Sequence, residues 1–209
     1  GQGDNRLLGG HIGPTLDDWQ AQRQVLLQTW LDYLGHGPEV VPLDPVTKYS
    51  EDLGAITRTL VTYQVEAGCR VYAYVVRPRG DGPFPGVVVF HPTTDQTILQ
   101  PAGLAEPPEK HFAFRLAERG YVTVSPRNYL WDYRGRPGAH PDFGAFTRLT
   151  EDVLLARYPH WTGMGKMLWD GLRATDYLLT LPGVDPERLG CVGHSLGAKE
   201  VLYAMAFDE

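Results

Sequence analysis

Gly193-His194-Ser195-Leu196-Gly197 is the stretch of this 209-residue chain where residue type and spacing together describe a chemistry. Glycines two before and two after a serine suit a sharp strand-to-helix turn, because a Cβ at either position would collide with the neighbouring backbone. Such a turn projects the serine hydroxyl as a nucleophile. The helix start behind it favours developing negative charge, and backbone N–H groups nearby can stabilise an oxyanion. The chain has three serines (Ser50, Ser125 and Ser195) and 24 glycines. Chance would place this five-residue pattern around one of the three with a probability of only about 0.04.

The competing reading is a glycine-rich nucleotide-binding turn. It fails in detail, because the chain has neither a Gly-x-Gly-x-x-Gly run nor a Walker sequence. Gly163-Met164-Gly165-Lys166 lacks both the upstream glycine and the Ser or Thr after lysine. His11, His36, His111, His140 and His160 all precede the serine and read as surface or bracing histidines. No His-Glu-x-x-His and no close His or Cys pair occurs, so neither a metal site nor a cofactor is expected.

The elements that must position Ser195 follow from periodicity. Leu189 to Gly193 reads as a short buried strand and Leu196 to Ala206 as the helix after the turn. Gly86 to Phe90 is continuously apolar, as a central parallel strand covered on both faces would be. Tyr121 to Ser125 is a further strand, with helices expected over Pro108 to Arg119 and Gly163 to Thr180. Ile56 to Glu66 and Arg70 to Arg77 flank Ala67-Gly68 as an antiparallel hairpin. Thr15 to Leu34 reads as an amphipathic helix capped by Thr15, with Trp19, Leu26, Trp30, Tyr33 and Leu34 as its buried stripe. A loose arm precedes it, and a proline-containing connection runs from Gly37 to about Gly54.

A hairpin followed by alternating strands and helices implies an α/β fold. The expected sheet is mostly parallel, with an N-terminal antiparallel hairpin and helices on both faces. We divide the chain into an N-terminal arm and helix (1–54) and a catalytic portion (55–209). The 19 basic and 25 acidic residues leave a formal net charge of −6, which argues against nucleic acid as a partner. No apolar run reaches the roughly 18 residues of a membrane helix. Two cysteines, Cys69 and Cys191, cannot build a disulfide framework, so stability must come from packing.

Two longer stretches carry a family resemblance: Gly82-Pro83-Phe84-Pro85-Gly86-Val87-Val88-Val89-Phe90-His91 and Val184-Asp185-Pro186-Glu187-Arg188-Leu189-Gly190-Cys191-Val192-Gly193-His194-Ser195-Leu196-Gly197. From about Thr59 onward the chain resembles α/β-hydrolases, specifically the serine-esterase relatives of the dienelactone hydrolase and acetyl xylan esterase families. Ser195 departs from dienelactone hydrolases proper, which carry cysteine there; the departure bears on the lactone substrate and not on the fold. The resemblance implies cleavage of carboxylic esters through an acyl-enzyme on Ser195. The N–H groups of Leu196 and Thr93 would hold the oxyanion, since Pro92 has no N–H to offer. The implied substrate is a small-molecule ester, acylated carbohydrate included. A prolyl-oligopeptidase-like peptidase shares the same turn and fold. A catalytically incompetent binding surface is the non-enzymatic alternative.

The resemblance also places the triad acid and histidine after the nucleophile in chain order. Only 14 residues follow Ser195 and none is histidine, so both groups are expected beyond Glu209. The chain then reads as the N-terminal portion of a larger hydrolase, with a sheet edge and apolar surface that would make it poorly soluble alone. Between Pro126 and Trp169 lie eight aromatic residues, among them Tyr129, Trp131, Tyr133, Phe143 and Phe146. In the family this segment approaches the front of the site, which makes Tyr129 and Trp131 candidates for a substrate wall. Packing against the following helix is the equal alternative. Asp132, Arg134 and Arg136 could meet a polar substrate. His91, Thr94 and His194 complete the substrate-facing candidates, although a bracing role is the stronger reading for both histidines.

Overall fold

The computed structural model describes residues 15–132 and 143–207. Its strands are β1 (Val46–Asp52), β2 (Ile56–Glu66), β3 (Cys69–Pro78), β4 (Phe84–Phe90), β5 (Val122–Pro126) and β6 (Val184–Gly193). Its helices are α1 (Leu16–Leu34), α2 (Phe112–Ala117), α3 (Tyr129–Asp132), α4 (Phe143–Arg157), α5 (Gly163–Leu179) and α6 (Leu196–Phe207). One sheet runs in the order β1-β2-β3-β5-β4-β6.

β4 is covered on both faces, as its unbroken apolar run requires. Val88 and Phe90 join Tyr63, Val75 and Val124 beneath Ala174, Tyr177 and Leu178 of α5 and Ala204 of α6. Val87 and Val89 point the other way, toward Ile98, Ala102, Ala113 and Ala117. This is the layered α/β arrangement expected, with helices on both faces. The proportion of parallel pairing differs from expectation. β5-β4 and β4-β6 are parallel, whereas β1-β2, β2-β3 and β3-β5 are antiparallel, so the sheet is mixed. Part of the difference is β1, which lies in the stretch expected to be a connection. Six of its seven residues are exposed, so an edge strand there leaves no hydrophobic periodicity to read. It pairs with β2 across the boundary placed at residue 54.

Thr15 caps α1 as expected. Its hydroxyl accepts the Asp18 N–H at 3.1 Å, and the Asp18 carboxylate accepts the Thr15 N–H at 3.2 Å. The buried stripe on α1 is not formed: only Leu34 is fully buried, while Trp19 and Tyr33 stay exposed. The helix is anchored at its C-terminal end, where the Leu34 carbonyl accepts the Thr162 N–H at 3.0 Å and the Thr162 hydroxyl at 2.8 Å. The region expected as a helix from Pro108 to Arg119 divides into a single 3-10 turn (Pro108–Lys110) and α2. α4 occupies part of the aromatic-rich segment between Pro126 and Trp169, where periodicity gives no helix.

Lys166, tempting in sequence as a phosphate ligand, is buried in α5. Its ammonium pairs with Glu66 Oε1 and Asp170 Oδ1, each at 2.6 Å. These bonds tie α5 to β2 and leave the lysine no access to a ligand. At the other end of the sheet, β6 is an edge strand, and Leu189, Leu202 and Met205 are exposed beside it. Among the described residues, no helix is long and apolar enough to cross a membrane.

Candidate active site

The parallel register of β4 and β6 pairs Val88 with Cys191 and Phe90 with Gly193. Both strands therefore end side by side, and His91-Pro92-Thr93 leaves the sheet next to His194-Ser195-Leu196. Ser195 holds a left-handed backbone, φ 56°, and is exposed. That conformation costs a non-glycine residue of the order of 1 kcal/mol and is retained only where the surroundings impose it. Here they do. Gly197 N–H donates to the His194 carbonyl and Ala198 N–H to the Ser195 carbonyl, both at 3.0 Å, so only His194 and Ser195 separate the end of β6 from the start of α6.

The two flanking glycines have the steric role that their spacing suggested. A Cβ on Gly193 would stand 2.2 Å from the Gly197 carbonyl oxygen, and one on Gly197 would strike the Phe90 backbone. Among the described residues, the backbone N–H groups of Leu196 and Thr93 have no hydrogen-bond acceptor. Both sit at the C-terminal edge of the parallel strands, one on each side of the junction between β4 and β6. An anion forming at Ser195 Oγ would also meet the N-terminus of α6.

Beneath this surface lies a buried polar chain. His91 is fully buried; its Nδ1–H donates to the Pro92 carbonyl at 2.7 Å, and its Nε2 accepts the Asn128 N–H at 3.0 Å. Accepting that N–H fixes the neutral tautomer. Burial lowers the His91 pKa from 6.5 to about 4, against the opposing effect of the Pro92 carbonyl. Asn128 donates from Nδ2 to Glu200 Oε1 at 3.1 Å and accepts the Leu130 N–H on Oδ1 at 3.0 Å. Burial pushes the Glu200 carboxyl well above the usual carboxylate range. Asn128 gives no motif in sequence; its only signal is a polar residue two positions beyond a fully buried strand.

Each candidate residue can now be placed. Thr93 is exposed on the loop after β4. Thr94 is half-buried and builds the next turn, where its hydroxyl accepts the Gln96 N–H at 3.4 Å and its carbonyl the Thr97 N–H at 3.1 Å. His194 is exposed beside Ser195, and its Nε2 lies 3.3 Å from Lys110 Nζ, a neighbour that the sequence did not suggest. His91 faces inward with both ring nitrogens engaged, which fits bracing and leaves no atom for substrate. Tyr129 and Trp131 are likewise buried, packed with Trp161, Leu154 and Leu196. Trp131 meets His91 edge to face, with ring centroids 5.1 Å apart. Of the two readings weighed for these rings, substrate wall or packing, their burial in one cluster with Leu196 accords with packing. Trp169 packs inward, donating from Nε1 to the Val65 carbonyl at 2.6 Å. Tyr133, Arg134, Arg136, His11 and His140 lie outside the described residues.

Among the described residues, no three His, Cys, Asp or Glu side chains gather to hold a metal ion. None of their side chains hydrogen-bonds Ser195 Oγ. What the arrangement can do by itself is present a hydroxyl beside two free N–H groups and a helix start.

The dienelactone hydrolase family profile matches residues 71–208, most of the chain. The Bacillus subtilis (strain 168) protein YtaP, described as a candidate hydrolase, is 27% identical over 144 residues. That alignment takes in 66% of this chain and 44% of YtaP, so the chain spans less than half the length of that curated relative. Among solved structures, a candidate acetyl xylan esterase from Bacteroides fragilis NCTC 9343 is similar at a TM-score of 0.73 and 15% identity, over 95% of this chain and 53% of its own. A glucuronoyl esterase from Solibacter usitatus is similar at 0.64 and 19%, over 96% and 58%. An acetyl xylan esterase from Paenibacillus sp. R4 is similar at 0.54 and 20%, over 94% and 57%. At these identities the structural likeness carries the fold.

Proposed function

The chain belongs to the dienelactone hydrolase family, and from that premise we propose that it is the nucleophile-bearing part of a serine esterase. The observation that carries the reading is the backbone at Ser195. An exposed hydroxyl on a strained left-handed residue, held there by Gly193 and Gly197, is hard to explain as packing. Ser195 Oγ attacks the ester carbonyl carbon, and the carbonyl oxygen takes up the electron pair as a tetrahedral oxyanion. The N–H groups of Leu196 and Thr93 receive that charge, aided by the α6 N-terminus. Collapse of the intermediate expels the alcohol and leaves an acyl-enzyme, which water then hydrolyses.

The proton of Ser195 needs a base. His91 is buried and saturated, and His194 lies against Lys110, so neither meets the requirement. A histidine with its acid, from a part of the protein outside residues 1–209, completes the triad in this reading. The substrate class is a small carboxylic ester, acylated carbohydrates included; the esterases among the similar structures support this choice over a peptide.

The test is made on the full-length protein with a fluorophosphonate probe and a panel of short acyl esters and peptides. Labelling at Ser195, ester turnover and its loss in Ser195→Ala are the expected results. Peptide cleavage without ester turnover would favour the peptidase. An unlabelled Ser195 would overturn the reading.

A further inference from the structure

We propose that Asn128 and Glu200 are positioning residues that hold the two oxyanion N–H donors at a fixed separation. The inference rests on the esterase reading of the same site. The two donors belong to different elements: Thr93 to the loop after β4, and Leu196 to the first turn of α6. Beyond the end of the β4-β6 ladder at Phe90 and Gly193, no backbone hydrogen bond joins these two segments among the described residues.

The connection runs underneath instead. The loop is braced by His91, whose Nδ1–H donates to the Pro92 carbonyl at 2.7 Å. His91 Nε2 takes the Asn128 N–H at 3.0 Å, and Asn128 Nδ2 donates to Glu200 Oε1 at 3.1 Å. Glu200 lies four residues along α6 from Leu196, one helical turn away, so a displacement at one end is carried to the other. Every side chain in this relay is buried, with His91 at 1%, Asn128 at 3% and Glu200 at 4% exposure. A buried chain of short bonds behind a surface site is a stiff connection, and losing one partner leaves another unsatisfied.

The geometry gives Glu200 a use that a charge at this place would not serve. It is buried and accepts from Asn128. What the relay requires is an acceptor oxygen, and a glutamine supplies one. Donors misplaced by a fraction of an ångström still bind the ground-state ester but hold the oxyanion poorly, so the loss falls on kcat and not on KM.

The experiment uses the full-length protein and p-nitrophenyl acetate, with wild type and Ser195→Ala measured first. If wild type is inactive, or Ser195→Ala retains its rate, the esterase reading itself has failed. With those controls in place, Glu200→Met cuts the relay. The expected result is a kcat at least tenfold lower, KM within twofold, and fluorophosphonate labelling slowed in proportion. Glu200→Gln keeps the acceptor and is expected within threefold of wild type. Should Glu200→Met not fold, Asn128→Ser decides alone: it shortens the same link while leaving the backbone bond to His91, and the same tenfold loss is expected. A wild-type kcat in the cut variant, a loss confined to KM, or a Glu200→Gln as impaired as Glu200→Met would each overturn the proposal.

Discussion

Gly197 sits against Phe90 so closely that a Cβ on it would stand 2.3 Å from the Phe90 carbonyl oxygen. The contact joins the first turn of α6 to the last residue of β4, and it brings the loop bearing Thr93 beside Ser195. The neighbouring atoms are backbone on both sides, so no side chain can swing away to admit a methyl group. Gly197→Ala must push α6 off the strand, at a cost of about 2 kcal/mol or more. Urea unfolding of Gly197→Ala beside wild type checks this, with slower fluorophosphonate labelling expected as well. An unchanged midpoint would mean the close approach is not real.

Ser195 pays for its exposure in backbone strain, and removing its side chain should reveal this. Ser195→Gly and Ser195→Ala both lose the hydroxyl proposed as nucleophile, but only glycine relaxes at φ 56°. Glycine is expected to exceed alanine in stability by about 1 kcal/mol, since that is the scale of the left-handed penalty. Thermal unfolding of the two variants measures the difference. Equal melting temperatures would show that no strain is held at this residue.

His91 supplies a pH dependence whose sign can be worked out. Its folded pKa is about 4, below the 6.5 of an exposed imidazole, so the unfolded chain binds the extra proton first. The stabilisation is complete above pH 6.5 and is lost as pH falls toward 4, amounting to about 3 kcal/mol. His91→Gln lacks this contribution. The stability gap between wild type and His91→Gln should therefore narrow across that window, as followed by chemical denaturation at a series of pH values. A gap that stays constant from pH 7 to 4 would count against a neutral, buried His91.

Trp131 distinguishes a packing ring from a substrate wall. Only 4% exposed and set against His91, it should behave as core. Trp131→Ala is expected to cost about 3–5 kcal/mol, and Trp131→Phe to leave KM for short acyl esters unchanged. A KM raised severalfold by Trp131→Phe in a stably folded protein would restore the ring to the substrate surface.

The exposed edge of β6, with Leu189, Leu202 and Met205 beside it, predicts the solution behaviour of residues 1–209 expressed alone. Binding of a hydrophobic dye and self-association on a sizing column are expected. A monodisperse monomer that binds no dye would contradict the exposure of this surface.

The turn at Ser195 was legible in sequence because its constraint is local. Glycines at 193 and 197 around a serine encode a backbone geometry that needs only a strand before it and a helix after it. The continuous run from Gly86 to Phe90 likewise announced a strand covered on both faces, since it is short, unbroken and rich in β-branched valine. β1 was not legible, because an exposed edge strand obeys hydrogen bonding without hydrophobic periodicity. The burial of Tyr129 and Trp131 was not legible either: aromatic side chains suit a substrate wall and a core floor equally, and their burial depends on Leu154, Trp161 and Leu196 from distant segments. The same holds for Asn128 and Glu200, 72 positions apart, which spacing could never have joined. Sequence by itself determined the sharp turn that exposes Ser195, the proposed nucleophile, through rules that span five positions. The tertiary structure decided what stands around it, because hydrogen bonds and packing between distant segments depend on where the sheet brings their ends together.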